Sequence, residues 1–196
     1  MKQLTSLIHL IDFIGHPSLN EQYLNDRRYN ALHSLINERK TCDNKVITTL
    51  FNPDDTPLGE KSALYLEKFI EIKNIAIKYN FTWLELNEEC SVNDITISLE
   101  NLGYKIDPSY TQIVFGGTNL SGCVLRNKNT SLREFTKYGY LCQLVLPLCC
   151  PSDTPGYNDI EKLFSSLAAV YNYTRDKNIT HLVDILYTEY DMKLHL

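Results

Sequence analysis

Residues 111–125 read TQIVFGGTNLSGCVL. A short apolar run, 111–115, ends in Gly116 and Gly117 and passes into a segment that can open a helix, which is the strand–turn–helix punctuation of an α/β unit. Moving outward in both directions, the same kind of run recurs. Residues 7–13 (LIHLIDF) end in Gly15, His16 and Pro17, and residues 45–51 (KVITTLF) end in Asn52 and Pro53. Residues 81–86 (FTWLEL) and 141–148 (LCQLVLPL, with Pro147 near its end) complete a set of five.

Helical patterns fill the intervals. Leu24, Ala31, Leu32, Leu35 and Ile36 share one face of a helix over 24–38, and Leu64, Leu66, Phe69, Ile72, Ile75 and Ala76 do so over 58–79. A helix over 92–102 is stopped by Gly103 in the C′ position. Another is expected over 159–173, while 178–190 fits helix or strand. Near-continuous apolar strands separated by helices require a parallel sheet covered on both faces. The expected fold is a three-layer α/β/α sandwich with a mainly parallel sheet of five or six strands, formed as one domain over residues 1–196.

Composition excludes several classes of function. With 43% hydrophobic and 22% charged residues the chain has ordinary globular usage. Its 19 Lys and Arg stand against 24 Asp and Glu, a net charge of -5, so no broad basic excess draws it onto a phosphate backbone. No apolar run approaches the roughly 20 residues that span a bilayer. The opening stretch, interrupted by Asp12 and lacking a small-residue cleavage site, reads as a buried strand rather than a signal peptide. Six cysteines with no C-x-x-C pair are too sparse for a disulfide scaffold or zinc spacing, which points to the reducing cytosol. Cys149 and Cys150 read as strand-end or loop residues without a chemical role.

In open parallel sheets ligands bind beyond the carboxyl ends of the strands, so polar residues that terminate strands are the candidates. Asp12 ends the first run, where an unpaired carboxylate is costly to bury. Cys123 lies a turn after the fourth, where a helix N-terminus favours a thiolate. Together they could perform covalent acyl chemistry. The same residues also fit plainer roles, a small buried thiol and a turn-capping carboxylate.

The segment GTNLSGCV, residues 117–124, resembles the nucleophile segment of the isochorismatase-like cysteine hydrolases, as do Asp12 in LIHLIDF and the passage from Gly139-Tyr140 into LCQLVLPL. The resemblance in element order covers nearly the whole chain. It implies Cys123 as nucleophile on a small amide or related carbonyl and Asp12 as proton acceptor and donor. It further implies a cis peptide at Thr118-Asn119, with the backbone amides of Asn119 and Cys123 forming the oxyanion hole, a small-molecule substrate and a homo-oligomer. The family's Lys after the third strand has no counterpart: Asn87, Glu88 and Glu89 stand there, and a carboxylate facing Asp12 would raise its pKa. Lys61 is a distant substitute. The superfamily's metal-binding nicotinamidases carry an Asp and histidines after the second strand; here that segment is Asn-Pro-Asp-Asp over 52–55, so Asp54 and Asp55 read as turn residues and neither metal nor cofactor is expected. His16, on the same rim as Asp12, fits a turn histidine or a residue lining the site. Two functions follow from these residues: a cysteine hydrolase acting on an amide or similar C–N bond through a thioester, or a catalytically impaired relative serving as a binding or assembly module. Vinyl-ether hydrolysis of the isochorismatase type, which needs no nucleophilic thiol, is the weakest fit.

Overall fold

The computed structural model describes residues 1–11, 22–50, 60–87, 89–118, 120–127, 129–150 and 159–186. In chain order its first half runs β1 (Lys2–Gln3), β2 (Ser6–Ile11), α1 (Gln22–Arg39), β3 (Lys45–Leu50), α2 (Glu60–Lys78), β4 (Thr82–Leu86) and α3 (Val92–Asn101). The second half runs β5 (Tyr104–Lys105), β6 (Gln112–Thr118), a wide π-type helix (Leu120–Asn127), α4 (Leu132–Lys137), β7 (Leu141–Cys150), α5 (Asp159–Asp176), a 3-10 turn (Thr180–Leu182) and β8 (Val183–Leu186).

Six strands form one sheet in the order β4-β3-β2-β6-β7-β8, and every neighbouring pair is parallel. β1 and β5 make a separate parallel ladder of two residues each, too short to be seen as a hydrophobic run. The segment over 178–190, open between helix and strand in the sequence, supplies the sixth strand: β8 adds to the edge through β7, with Val183 and Ile185 half-buried and Asp184 exposed.

All six residues of β2 and all six of β3 are buried, because layers of helix lie on both faces. On one face Leu7, Ile11, Val46, Leu50, Phe115 and Leu144 pack with α3, α4, α5 and the π-type helix. On the other Ile8, Leu10, Ile47, Val114 and Leu148 pack with Tyr29, Leu32 and Ile36 of α1 and with Phe69, Ile72 and Ala76 of α2. The three-layer α/β/α expectation is met. α3 buries Val92, Ile95 and Leu99 at helical spacing, opens with a reciprocal Ser91–Asp94 capping box, and closes at Leu102 before Gly103 at φ 85°.

Pro147 is accommodated by a bulge. The pairing passes from Phe115–Leu144 to Gly117–Cys149, two steps on β6 against five on β7, so three extra residues bow out where a missing N–H breaks no ladder bond. At the opposite end of the sheet, Arg39 in the last turn of α1 donates to Ser6 Oγ (2.6 Å), Gln112 Oε1 (3.2 Å) and Gln143 Oε1 (2.8 Å). One guanidinium thus ties β2, β6 and β7 at their start. Lys45 Nζ donates to the Lys40 carbonyl and lies 4.9 Å from the Phe81 ring centroid, a cation placed on the negative end of α1.

Candidate functional site

Strand order locates the candidate site. From β2 the chain goes to β3 and β4 on one side, and from β6 to β7 and β8 on the other, with β2 and β6 adjacent. In open parallel sheets ligands bind beyond the carboxyl ends of the strands at such a reversal, which here falls between β2 and β6. The segments that leave these two ends carry Asp12 and Cys123.

The two strands meet closely at this rim. Ile11 pairs with Gly117, whose φ is 145°, and a Cβ at position 117 would stand 1.9 Å from the Ile11 carbonyl oxygen. Only glycine permits that approach. Gly116 is similarly confined, with a Cβ falling 2.7 Å from Leu148 Cβ. Gly117 therefore brings the exit of β6 directly against the exit of β2, and Gly116 brings β6 against β7.

Cys123 follows in the π-type helix Leu120–Asn127. Leu120, Val124 and Leu125 are buried in the core and Cys123 is half-buried against the same cluster. Wide helical turns of this kind occur frequently at functional sites. Of the other described thiols, Cys142 is buried and pushed far up, Cys90 is raised to about 11 by burial together with Asp94, Cys149 is buried and Cys42 is exposed. The Gly139–Tyr140 passage also matches expectation, α4 closing at Tyr138 and Gly139 at φ 80° before β7.

Asp12, His16, Asp54, Asp55, Glu88 and Asn119 lie outside the described residues, and with them the expected cis bond at Thr118-Asn119. Described peptide bonds are trans. Lys61 falls in the first turn of α2. After β4, Asn87 Oδ1 accepts from the Glu89 amide at 2.9 Å and the Glu89 carboxylate is exposed to solvent. Among the described residues no cluster of three or more His, Cys, Asp or Glu could hold a metal ion.

Two buried polar residues escaped the sequence reading. His9, on β2, is fully buried between Phe115 and Phe135, each ring centroid 5.7 Å away, with Nδ1 2.7 Å from Thr48 Oγ1. Desolvation drives its pKa down to about 3, against a smaller opposing effect of the Thr130 backbone. Its Nε2, Thr130 Oγ1 and Ser131 Oγ are buried without hydrogen-bond partners. Arg28, on α1, is 1% exposed and among the largest fully buried side chains of the protein. Their signals were present: His9 shares the alternation of Leu7 and Ile11, and Arg28 shares the helical stripe of Leu32, Leu35 and Arg39.

No family model matches the chain, and no curated protein matches it. Among solved structures it is similar to the nicotinamidase SaPncA of Staphylococcus aureus, with a TM-score of 0.54 and 13% identity over 94% of this chain and 99% of that one. It is also similar to the MAR1 ribonuclease of Caenorhabditis elegans, with a TM-score of 0.53 and 11% identity over 98% of this chain and 81% of that one. The chain therefore shares its α/β fold, over nearly its full length, with a nicotinamidase and with a ribonuclease.

Proposed function

We propose that the protein is a cysteine hydrolase that opens an amide or similar C–N bond of a small molecule. The observation that supports this reading is the pairing of Ile11 with Gly117 at the switch point, one residue before Asp12 and six before Cys123 in the sequence. In the reaction, Asp12 takes the thiol proton as Sγ attacks the carbonyl carbon. Backbone amides of Asn119 and Cys123 receive the developing oxyanion, where preorganised donors act most strongly. The C–N bond then breaks, the proton passes to the departing nitrogen, and water hydrolyses the thioester. The likeness to a nicotinamidase supports this class of reaction. A net charge of -5 gives no support to a phosphodiester substrate, although the second neighbour is a ribonuclease.

One observation favours the second reading, a binding module without turnover: the segment after β4 offers Asn87 and an exposed Glu89 where the resemblance calls for a Lys. Ammonia release from a panel of small amides separates the two. Turnover by the native protein, abolished in Cys123→Ala with a melting temperature within about 3 °C of native, supports the hydrolase, since a half-buried thiol contributes little packing. Turnover that survives in Cys123→Ala overturns it. Amides that raise the melting temperature without being cleaved establish the binding module instead.

A further inference from the structure

Helices α1 and α2 cover the sheet face of Ile8 and Leu10, whereas Cys123 packs on the opposite face with Leu7 and Ile11, so the whole sheet separates the two. Between α1 and α2 lies a cleft of about 300 Å³. That volume stands at the small end of the range of ligand pockets. The lining repeats at helical spacing, with Tyr29 and His33 four residues apart on α1, and Lys68, Ile72 and Ile75 on one face of α2. Its floor is apolar: Tyr29 and Ile72 are buried and Ile75 is half-buried. Its rim is polar, with Asn30 and His33 exposed on α1, and a half-buried Lys68 and an exposed Glu71 on α2. A cation and a carboxylate thus stand one helical turn apart above an aromatic and aliphatic floor.

We propose that the cleft between α1 and α2 is a binding site for a free apolar α-amino acid, separate from the candidate hydrolase site and independent of that reading. Charge selects the class. A plain anion meets repulsion from Glu71 and a plain cation meets repulsion from Lys68, whereas a zwitterion answers both. Positions 68 and 71, at i and i+3, are neighbours on the helix surface, which suits a carboxylate and an ammonium carried on one carbon. The exposed amide of Asn30 and imidazole of His33 add hydrogen-bonding groups from α1. Size narrows the class further. At about 30 Å³ of liquid volume per water, the cleft holds the equivalent of about ten waters, enough for leucine or phenylalanine and too little for a dinucleotide. The apolar side chain rests on Tyr29, Ile72 and Ile75, where it leaves water.

Titration of the full chain at pH 7 with L-leucine and L-phenylalanine, followed through the backbone amide NMR signals, tests the site. At least one of them should move the amides of residues 29–33 and 68–75 saturably, with a Kd on the order of 1 mM or tighter for a ligand of about ten non-hydrogen atoms. For the leucine skeleton, 4-methylpentanoate lacks the ammonium and 3-methylbutylamine lacks the carboxylate; each should bind about tenfold more weakly than the amino acid. Glu71→Gln and Lys68→Met, changes at the rim, should melt within about 3 °C of native and each weaken the amino acid about tenfold. Glu71→Gln should also bring leucine and 4-methylpentanoate to within about threefold of each other, because the charge that tells them apart is gone. Amides of α1 and α2 that stay unmoved by both amino acids overturn the proposal. Equal binding of leucine, the acid and the amine overturns it too, since the cleft would then be a nonspecific apolar groove. Should Lys68→Met fail to fold, the three leucine-skeleton probes on the native protein and on Glu71→Gln decide the matter. Cys123→Ala should bind the amino acid as the native protein does, so this site and the hydrolase reading stand or fall separately.

Discussion

The two ends of the β2–β6 pair are built on opposite principles. At the start of the strands Arg39 meets three neutral oxygens from three strands, Lys45 meets a helix carbonyl and a ring, and Thr111 Oγ1 donates to the Leu4 carbonyl at 2.8 Å. These contacts close the layer. At the carboxyl end β6 meets β2 at Gly117 and β7 at Gly116, β7 bulges by three residues, and the helix that follows β6 is wound wide. Irregularity is concentrated where the strand order reverses. A sheet needs one strapped end to hold its register and one open end on which segments of unrelated sequence can converge.

The strongest way to break this contrast is to place the same substitution at each end. Gly117→Ala drives a Cβ against the Ile11 carbonyl oxygen at a φ of 145°, and backbone cannot yield there as a side-chain tip can. A loss of about 4 kcal/mol or more is expected in urea unfolding at pH 7. Gly139, at the base, also has positive φ, 80°, but a Cβ there would meet only Pro108 Cβ at 4.0 Å. Gly139→Ala should therefore cost about 1 kcal/mol, the conformational penalty alone. Equal losses at the two positions would remove the claim that the rim is the tighter junction.

The same contrast explains which features the sequence revealed. Five strands were legible because burial on both faces writes them as continuous apolar runs, as in residues 45–51, where Lys45–Leu50 is entirely buried. The wide helix and the bulge were not, since both are properties of pairing: nothing in LCQLVLPL alone says that Leu144 and Cys149 face residues two apart on β6. Asp12 and Cys123 stood out as polar residues ending strands. His9 and Arg28 did not, because a polar residue on a buried stripe declares itself only when the stripe is traced position by position through its partners. Alternation along β2 puts His9 beside Leu7 and Ile11, and three turns of α1 align Arg28 with Arg39.

His9 lies midway between the two ends and sharpens the comparison through pH. Its folded-state pKa of about 3 is below the unfolded value of 6.5, so the unfolded chain binds the proton first. The corresponding stability is complete above pH 6.5, declines as pH falls from there toward 3, and is exhausted below. Between pH 7 and pH 4 the native protein should lose roughly 3 kcal/mol from this group. His9→Asn removes the titration while keeping a polar partner for Thr48. Asp94, held down by the Ser91 amide, and Asp107, held down by the Ser109 amide, contribute acid sensitivity in both proteins. Urea midpoints at pH 7, 5.5 and 4 should show a markedly shallower decline in the variant; parallel declines would mean that His9 protonates in place.

The smallest effect belongs to the strapped end. Arg39→Lys keeps a positive charge near the negative end of α1 but replaces a planar fork with a single ammonium, which cannot reach Ser6, Gln112 and Gln143 together. At least one buried amide oxygen then loses its donor, and the half-buried setting of Arg39 limits the loss to about 1–2 kcal/mol. Because Arg39 touches only the starts of the strands, this variant should leave the alkylation rate of Cys123 unchanged at every pH. A shift of that profile in Arg39→Lys would show that the two ends of α1 are coupled through the helix, and that the guanidinium at the base helps set the chemistry of the rim.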